Sequence, residues 1–105
     1  MSVAILIEFK DPAREELYVP LATQGVYSSE WLPMARELGL YWVPLFLTGI
    51  SVSVEDLPVV VQELERLRSG LVGAPGKSPI VQRLDFVLER LRAVDSQEIA
   101  ELFIG

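Results

Sequence analysis

The chain of 105 residues predicts an α+β fold, a small antiparallel or mixed sheet of about four strands with helices packed on one face. Three observations carry this expectation. Short runs with two-residue apolar alternation fill the first half, three-to-four-residue spacing fills the second, and the connections between them are short. The predicted order is β-β-α-β-β-α-α-α, in one domain spanning 1–105.

Residues 3–9 read as the first strand. Val3, Ile5, Ile7 and Phe9 share one face, and Ala4 and Leu6 on the other imply cover there too, which places the strand centrally. Residues 17–22 read as a second strand. Pro20 cannot donate to a ladder, so that strand belongs on an edge. Ser28-Ser29-Glu30 opens a short helix with Pro33 in its first turn, and Trp31, Met34, Ala35 and Leu38 follow at helical spacing until Gly39.

Residues 40–47 read as a third strand and 50–54 as a fourth, with Thr48-Gly49 as the turn between them. In that register Leu47 faces Ile50, Leu45 faces Val52 and Val43 faces Val54. These residues and Tyr41 form a core face, while Trp42, Pro44 and Phe46 share the opposite face with Ser51 and Ser53. Two arrangements compete: the helix of Trp31 covers that side, or a bulge at Gly49 slips the register and turns Trp42 inward.

The second half reads as helical. Asp56 caps a helix with Pro58 in its first turn and Leu57, Val60, Val61, Leu64 and Leu67 along one side, ending before Gly70. Ser78 caps the next, with Pro79 at its first position and Ile80, Val81, Leu84, Val87, Leu88, Leu91 and Val94 in line. The two form an antiparallel hairpin. Arg66, Arg68, Arg83, Arg90 and Arg92 alternate with Glu63, Glu65, Asp85 and Glu89, as on solvated faces of mixed charge. Asp95-Ser96-Gln97-Glu98 starts a last short helix through Leu102, with Phe103-Ile104 tucked against the core.

Composition restricts the chemistry. The chain has no histidine and no cysteine, so it has no Ser-His pair, thiolate nucleophile or disulfide, and no His- or Cys-ligated metal. Its formal charge of −6 is spread evenly: residues 1–54 hold three basic and six acidic side chains, and residues 55–105 six and nine. Without clustered Lys and Arg, a nucleic-acid surface is not expected. The first residues are neither basic nor long enough in apolar run for a signal peptide or membrane span, so the expected partners include no membrane and the expected location is cytoplasmic.

Gly73-Ala74-Pro75-Gly76-Lys77-Ser78 resembles the end of a phosphate-binding loop, but the first glycine of that signature falls on Leu71, and a helix precedes it where a strand is required. A shaped connector between helices is the better reading. Glu15-Glu16, Glu55-Asp56 and Glu98/Glu101 lie in or beside helix starts, where the dipole accounts for them. No catalytic residue, cofactor or metal is therefore assigned, and the composition points away from an enzyme.

The remaining feature is the aromatic strand face, which assigns partner binding to Trp42, Pro44 and Phe46. The expectation is a non-enzymatic protein-interaction domain that either forms a homodimer or homo-oligomer or binds another protein. One form of the latter is an acidic domain masking a basic partner. The alternative is a small-molecule-binding domain or modest enzyme, its apolar pocket lined by Tyr18, Tyr27, Tyr41 and Glu8. Leu64 and Leu88 lie mid-stripe, so truncation of either to alanine should cost about 2–5 kcal/mol in denaturant unfolding, against under about 0.5 for Glu65→Ala.

Overall fold

The alternation near the start of the chain does form a strand, β1 (Ser2–Phe9), in the computed structural model, which describes residues 2–105. It pairs with β2 (Leu17–Thr23), an edge strand as Pro20 requires. The sheet is antiparallel throughout, in the order β2-β1-β4-β3, with β3 (Ile50–Val52) at the far edge and β4 (Ile99–Ile104) inserted between it and β1. Val3, Ile5, Ile7, Val19, Leu21, Leu102 and Ile104 are buried on the inner face. The helices pack against it, joining the strands in one apolar core.

After β2 the chain becomes helical earlier than Ser28-Ser29-Glu30 suggests. The Thr23 hydroxyl accepts a hydrogen bond from the Val26 N–H at 3.2 Å and starts α1 (Gln24–Val26). A π-helical turn (Tyr27–Trp31) leads without a break into α2 (Leu32–Glu37). Pro33 explains that wide turn: it lacks an N–H, and its ring crowds the preceding turn, so the ladder there shifts to the longer Leu32 N–H to Tyr27 C=O spacing. Tyr27, Trp31 and Ala35 form the buried side of this helix, and Gly39, at φ +69°, ends it.

α3 (Leu57–Leu71) and α4 (Ser78–Arg92) are the expected hairpin, with Leu57, Val60, Leu64, Leu67 and Leu71 buried on one and Leu84, Val87, Leu88 and Leu91 on the other. Arg68 pairs with Asp85 and Arg92 with Glu65, linking the two helices at the surface. The caps differ from expectation. Asp56 makes no capping hydrogen bond, because a 3₁₀ turn (Val54–Asp56) precedes α3 and the Asp56 carboxylate instead accepts from the Ser53 hydroxyl at 2.8 Å. Ser78 lies inside α4, whose N-cap position falls on Lys77.

Two elements depart from the sequence reading. The end of the chain is not a helix beyond one 3₁₀ turn (Ser96–Glu98), capped by the Asp95 carboxylate accepting from the Gln97 N–H at 2.9 Å; it continues as β4. Seven residues are too few for a helix to gain from propagation, whereas the alternation of Leu102 and Ile104 with Glu101 and Phe103 suits a strand with two neighbours.

Residues 40–47 form no strand. They fold into a 3₁₀ turn (Val43–Leu45) with Pro44 in its middle, and no hairpin forms through Thr48-Gly49. Glu63 on α3 accounts for this. Its carboxylate accepts from the Tyr41 N–H at 3.2 Å, the Trp42 N–H at 2.9 and 3.1 Å, and the Val43 N–H at 3.1 Å. Far from a solvated face, Glu63 is 6% exposed and is the buried charge among the described residues. Below the turn, the Tyr27 hydroxyl donates to the Val43 carbonyl at 2.5 Å, and burial pushes its phenol pKa up, so it remains a neutral donor.

Glu63→Ala strands three amide donors and should destabilise by about 3 kcal/mol in denaturant unfolding, with Glu63→Gln costing about half as much.

Candidate functional site

Because the helices occupy one side of the sheet, the other side is an open face. β-Strand alternation puts Leu6, Tyr18, Phe103 and Ser51 on it in a single row, since Leu6 pairs with both Tyr18 and Phe103, and Phe103 with Ser51. Tyr18 is 54% exposed, Phe103 41%, and Leu6 is half-buried between them. The next row toward the β4 end holds Pro20 and Ala4, with Gly105 bonded to Ala4 through both backbone groups.

Phe103 is held where it stands by two glycines. A Cβ on Gly49 or on Gly105 would each come within 2.8 Å of its ring, so the ring rests where no side chain competes. Gly49 also has φ +83°, which favours glycine on backbone grounds. The result is an aromatic ring packed against Gly49 and Gly105, with few rotors to freeze on contact.

On the other side of the row, Glu8 pairs directly with Glu101, both exposed. Neither makes an ion pair among the described residues, where the pairs are Arg14–Glu98, Arg68–Asp85, Lys77–Glu30 and Arg92–Glu65. Directly opposed like charges weaken a strand pair. The row is thus apolar at its centre and doubly acidic along one border.

The residues singled out in sequence lie elsewhere. Phe46 is 0% exposed and belongs to the core, Trp42 packs partly against that core, and Pro44 is the middle residue of the 3₁₀ turn. They share no exposed strand face, because the strand that would align them does not form. The 3₁₀ turn leaves Trp42 partly buried against the core, by neither of the two arrangements weighed against the open patch, since no strand forms there and no bulge at Gly49 arises. Tyr41 is left outside, edge-on to Trp42 with ring centroids 5.3 Å apart. Nor do Tyr18, Tyr27, Tyr41 and Glu8 line one pocket. Tyr18 and Glu8 stand on the open sheet face, Tyr27 is in the core, and Tyr41 is on the surface.

Surface concavities of about 250 to 480 Å³ occur at several places, and two of them border features already singled out. One of about 480 Å³ is bordered by Phe9, Lys10, Asp11, Arg14 and Glu98. Its guanidinium is already engaged, lying 3.7 Å from the Phe9 ring centre and paired with Glu98. The other, about 350 Å³, runs between the π-helical turn and the start of α4, with Val26, Trp31, Pro79 and Ile80 in its wall. Lys77 sits at this end of α4, where it pairs with Glu30, and a helix precedes the connector, so a phosphate cradle is not built. Among the described residues no three acidic side chains gather as a metal site, and no helix is long and apolar enough to cross a membrane.

Sequence reasoning placed Phe103 against the core and passed over Leu6 and Tyr18 as a surface. The signal lay in the parity of Leu6, Glu8, Glu101 and Phe103, visible only once the last segment is read as a strand. Compared with known proteins, the chain matches no protein family, no curated protein and no solved structure.

Phe46→Glu should abolish cooperative unfolding at room temperature, because it places an unpaired charge in the core, whereas Phe103→Glu should shift stability by under about 1 kcal/mol. Thermal melts followed by circular dichroism separate the two.

Proposed function

We propose that this chain is a non-enzymatic protein-interaction domain that docks a protein on the open face of its sheet. The observation that supports this most is the Tyr18–Leu6–Phe103 row, which crosses three adjacent strands where no helix covers them. An apolar row rimmed by polar residues and kept rigid by a sheet is the anatomy of a contact centre. Aromatic residues there supply large buried area at small entropic cost, and the Phe103 ring already packs against Gly49 and Gly105.

The chemistry elsewhere agrees. The carboxylate placed deepest, Glu63, is committed to three backbone amides, and Arg14, Arg68 and Lys77 are held in ion pairs. None of these groups faces another across a cleft with a reactive geometry. The functional surface is therefore flat and adhesive, in place of concave and catalytic.

Site-specific photo-crosslinking in cells that express the protein tests this. A benzophenone side chain at Tyr18 or Phe103 should give a discrete protein adduct, and the same group at Val59 or Val72, exposed apolar positions on or just beyond α3, should give none. Equal adducts from all four positions, or adducts from Val72 alone, would contradict the proposal.

A further inference from the structure

We infer that the partner on the open face is a protein segment carrying Arg or Lys beside an apolar residue, and not a second copy of this chain. The inference rests on the docking reading above and adds the chemistry of the occupant. It comes from the charge on the face. Its outward positions are Ser2, Ala4, Leu6 and Glu8 on β1, Tyr18, Pro20 and Thr23 on β2, Glu101 and Phe103 on β4 and Ser51 on β3. They include two acids and no base.

Glu8 and Glu101 stand directly opposite each other, two residues along from the Leu6–Phe103 pair. Their Cβ atoms are separated by the roughly 5 Å usual for such pairs, close enough for one guanidinium to bridge both carboxylates. The nearby bases do not serve. Arg14 is taken by Phe9 and Glu98, and Lys10, beyond the end of β1, forms no ion pair with either acid. The free chain therefore keeps beside its apolar row a like-charge pair that no ion pair among the described residues reaches, an arrangement a cation from a partner would relieve.

A second copy cannot supply that cation. Two copies packed by this face align their strands in the same or in the opposite sense or cross them near a right angle, and in the crossed case too the face offers no base. In the first case both Glu pairs meet, bringing four carboxylates together. In the second each pair lies over the Ala4 and Gly105 end of the other copy, which has no basic side chain on this face. An arginine from another protein bridges the two carboxylates and lays its flat side on an aromatic ring, while an adjacent apolar residue covers Leu6. Nucleic acid and anionic lipid are repelled by the same two charges.

The test uses three capped synthetic peptides with one Val-Trp-Val centre, flanked by Arg, by Gln or by Glu, titrated into ¹⁵N-labelled protein. The Arg-flanked peptide should shift the amides of Leu6, Tyr18 and Phe103 and bind at least about ten-fold tighter than the Gln-flanked one, an advantage that falls as salt is added. E8Q/E101Q should erase that advantage with the fold intact. E101K should reverse the preference toward the Glu-flanked peptide and raise the melting temperature, because it turns the like-charge pair into an ion pair. Binding at the row without preference for Arg overturns the basic-partner inference and leaves the docking face standing. So does a wild-type dimer, seen by sedimentation, that F103E dissociates. Shifts confined to the helical side, or no binding and no dimer, overturn both.

Discussion

The carboxylate of Glu63 satisfies three successive backbone donors at residues 41–43, and the course of the chain from Leu40 to Val52 follows from it. A buried carboxylate is costly unless its lone pairs are met, and buried amides are costly unless they find acceptors, so each side of this contact resolves the cost of the other. With its N–H groups gathered onto one point, the segment cannot offer them to a ladder. It curls into a 3₁₀ turn instead, which accepts Pro44 at its second position, where no N–H is needed, and which turns Phe46 into the core. Tyr27 closes the arrangement from below through the Val43 carbonyl, tying the π-helical turn, the 3₁₀ turn and α3 into one unit.

The sheet inherits the consequence. Because residues 40–47 do not pair with 50–52, the short edge strand β3 takes β4 as its neighbour, and the last strand of the chain is drawn between β3 and β1. This closes the core over Ile5, Ile7, Leu102 and Ile104 and, by strand parity, raises Leu6 and Phe103 on the opposite side. The open face thus depends on a contact made on the far side of the molecule. Its aromatic ring is steadied by Gly49, four residues beyond the end of the 3₁₀ turn that Glu63 holds.

Much of this was legible in the sequence. The α+β class, the central β1, the edge position of β2 through Pro20, and the facing stripes of α3 and α4 all follow from local periodicity and from proline's missing donor. Two segments were not, for a shared reason. Residues 40–47 are rich in aromatic and branched side chains that suit a strand, and 96–102 begins with a good cap, so local preference favoured a strand in one and a helix in the other. Long-range pairing decided both. Pro44 within the apparent strand was the available warning, since proline is excluded from a paired interior, and Glu63 falls on the buried stripe between Val60 and Leu67. A charged residue there needs a partner, and sequence does not name backbone amides twenty residues away. The open sheet face was missed through the same segments: reading 40–47 as a strand put the aromatic face on Trp42, Pro44 and Phe46, and reading a helix through Leu102 with Phe103-Ile104 tucked against the core hid Phe103.

The functional account stands on this topology, in which the surface facing water is the sheet side of Leu6 and Phe103. Cross-strand backbone NOEs from Ser51 test it most directly. The account predicts that Ser51 is close to Phe103, as its position in the β3–β4 ladder requires. NOEs from Ser51 to Phe46 would show the hairpin through Thr48-Gly49 instead, and would contradict both the role of Glu63 and the open face built on it.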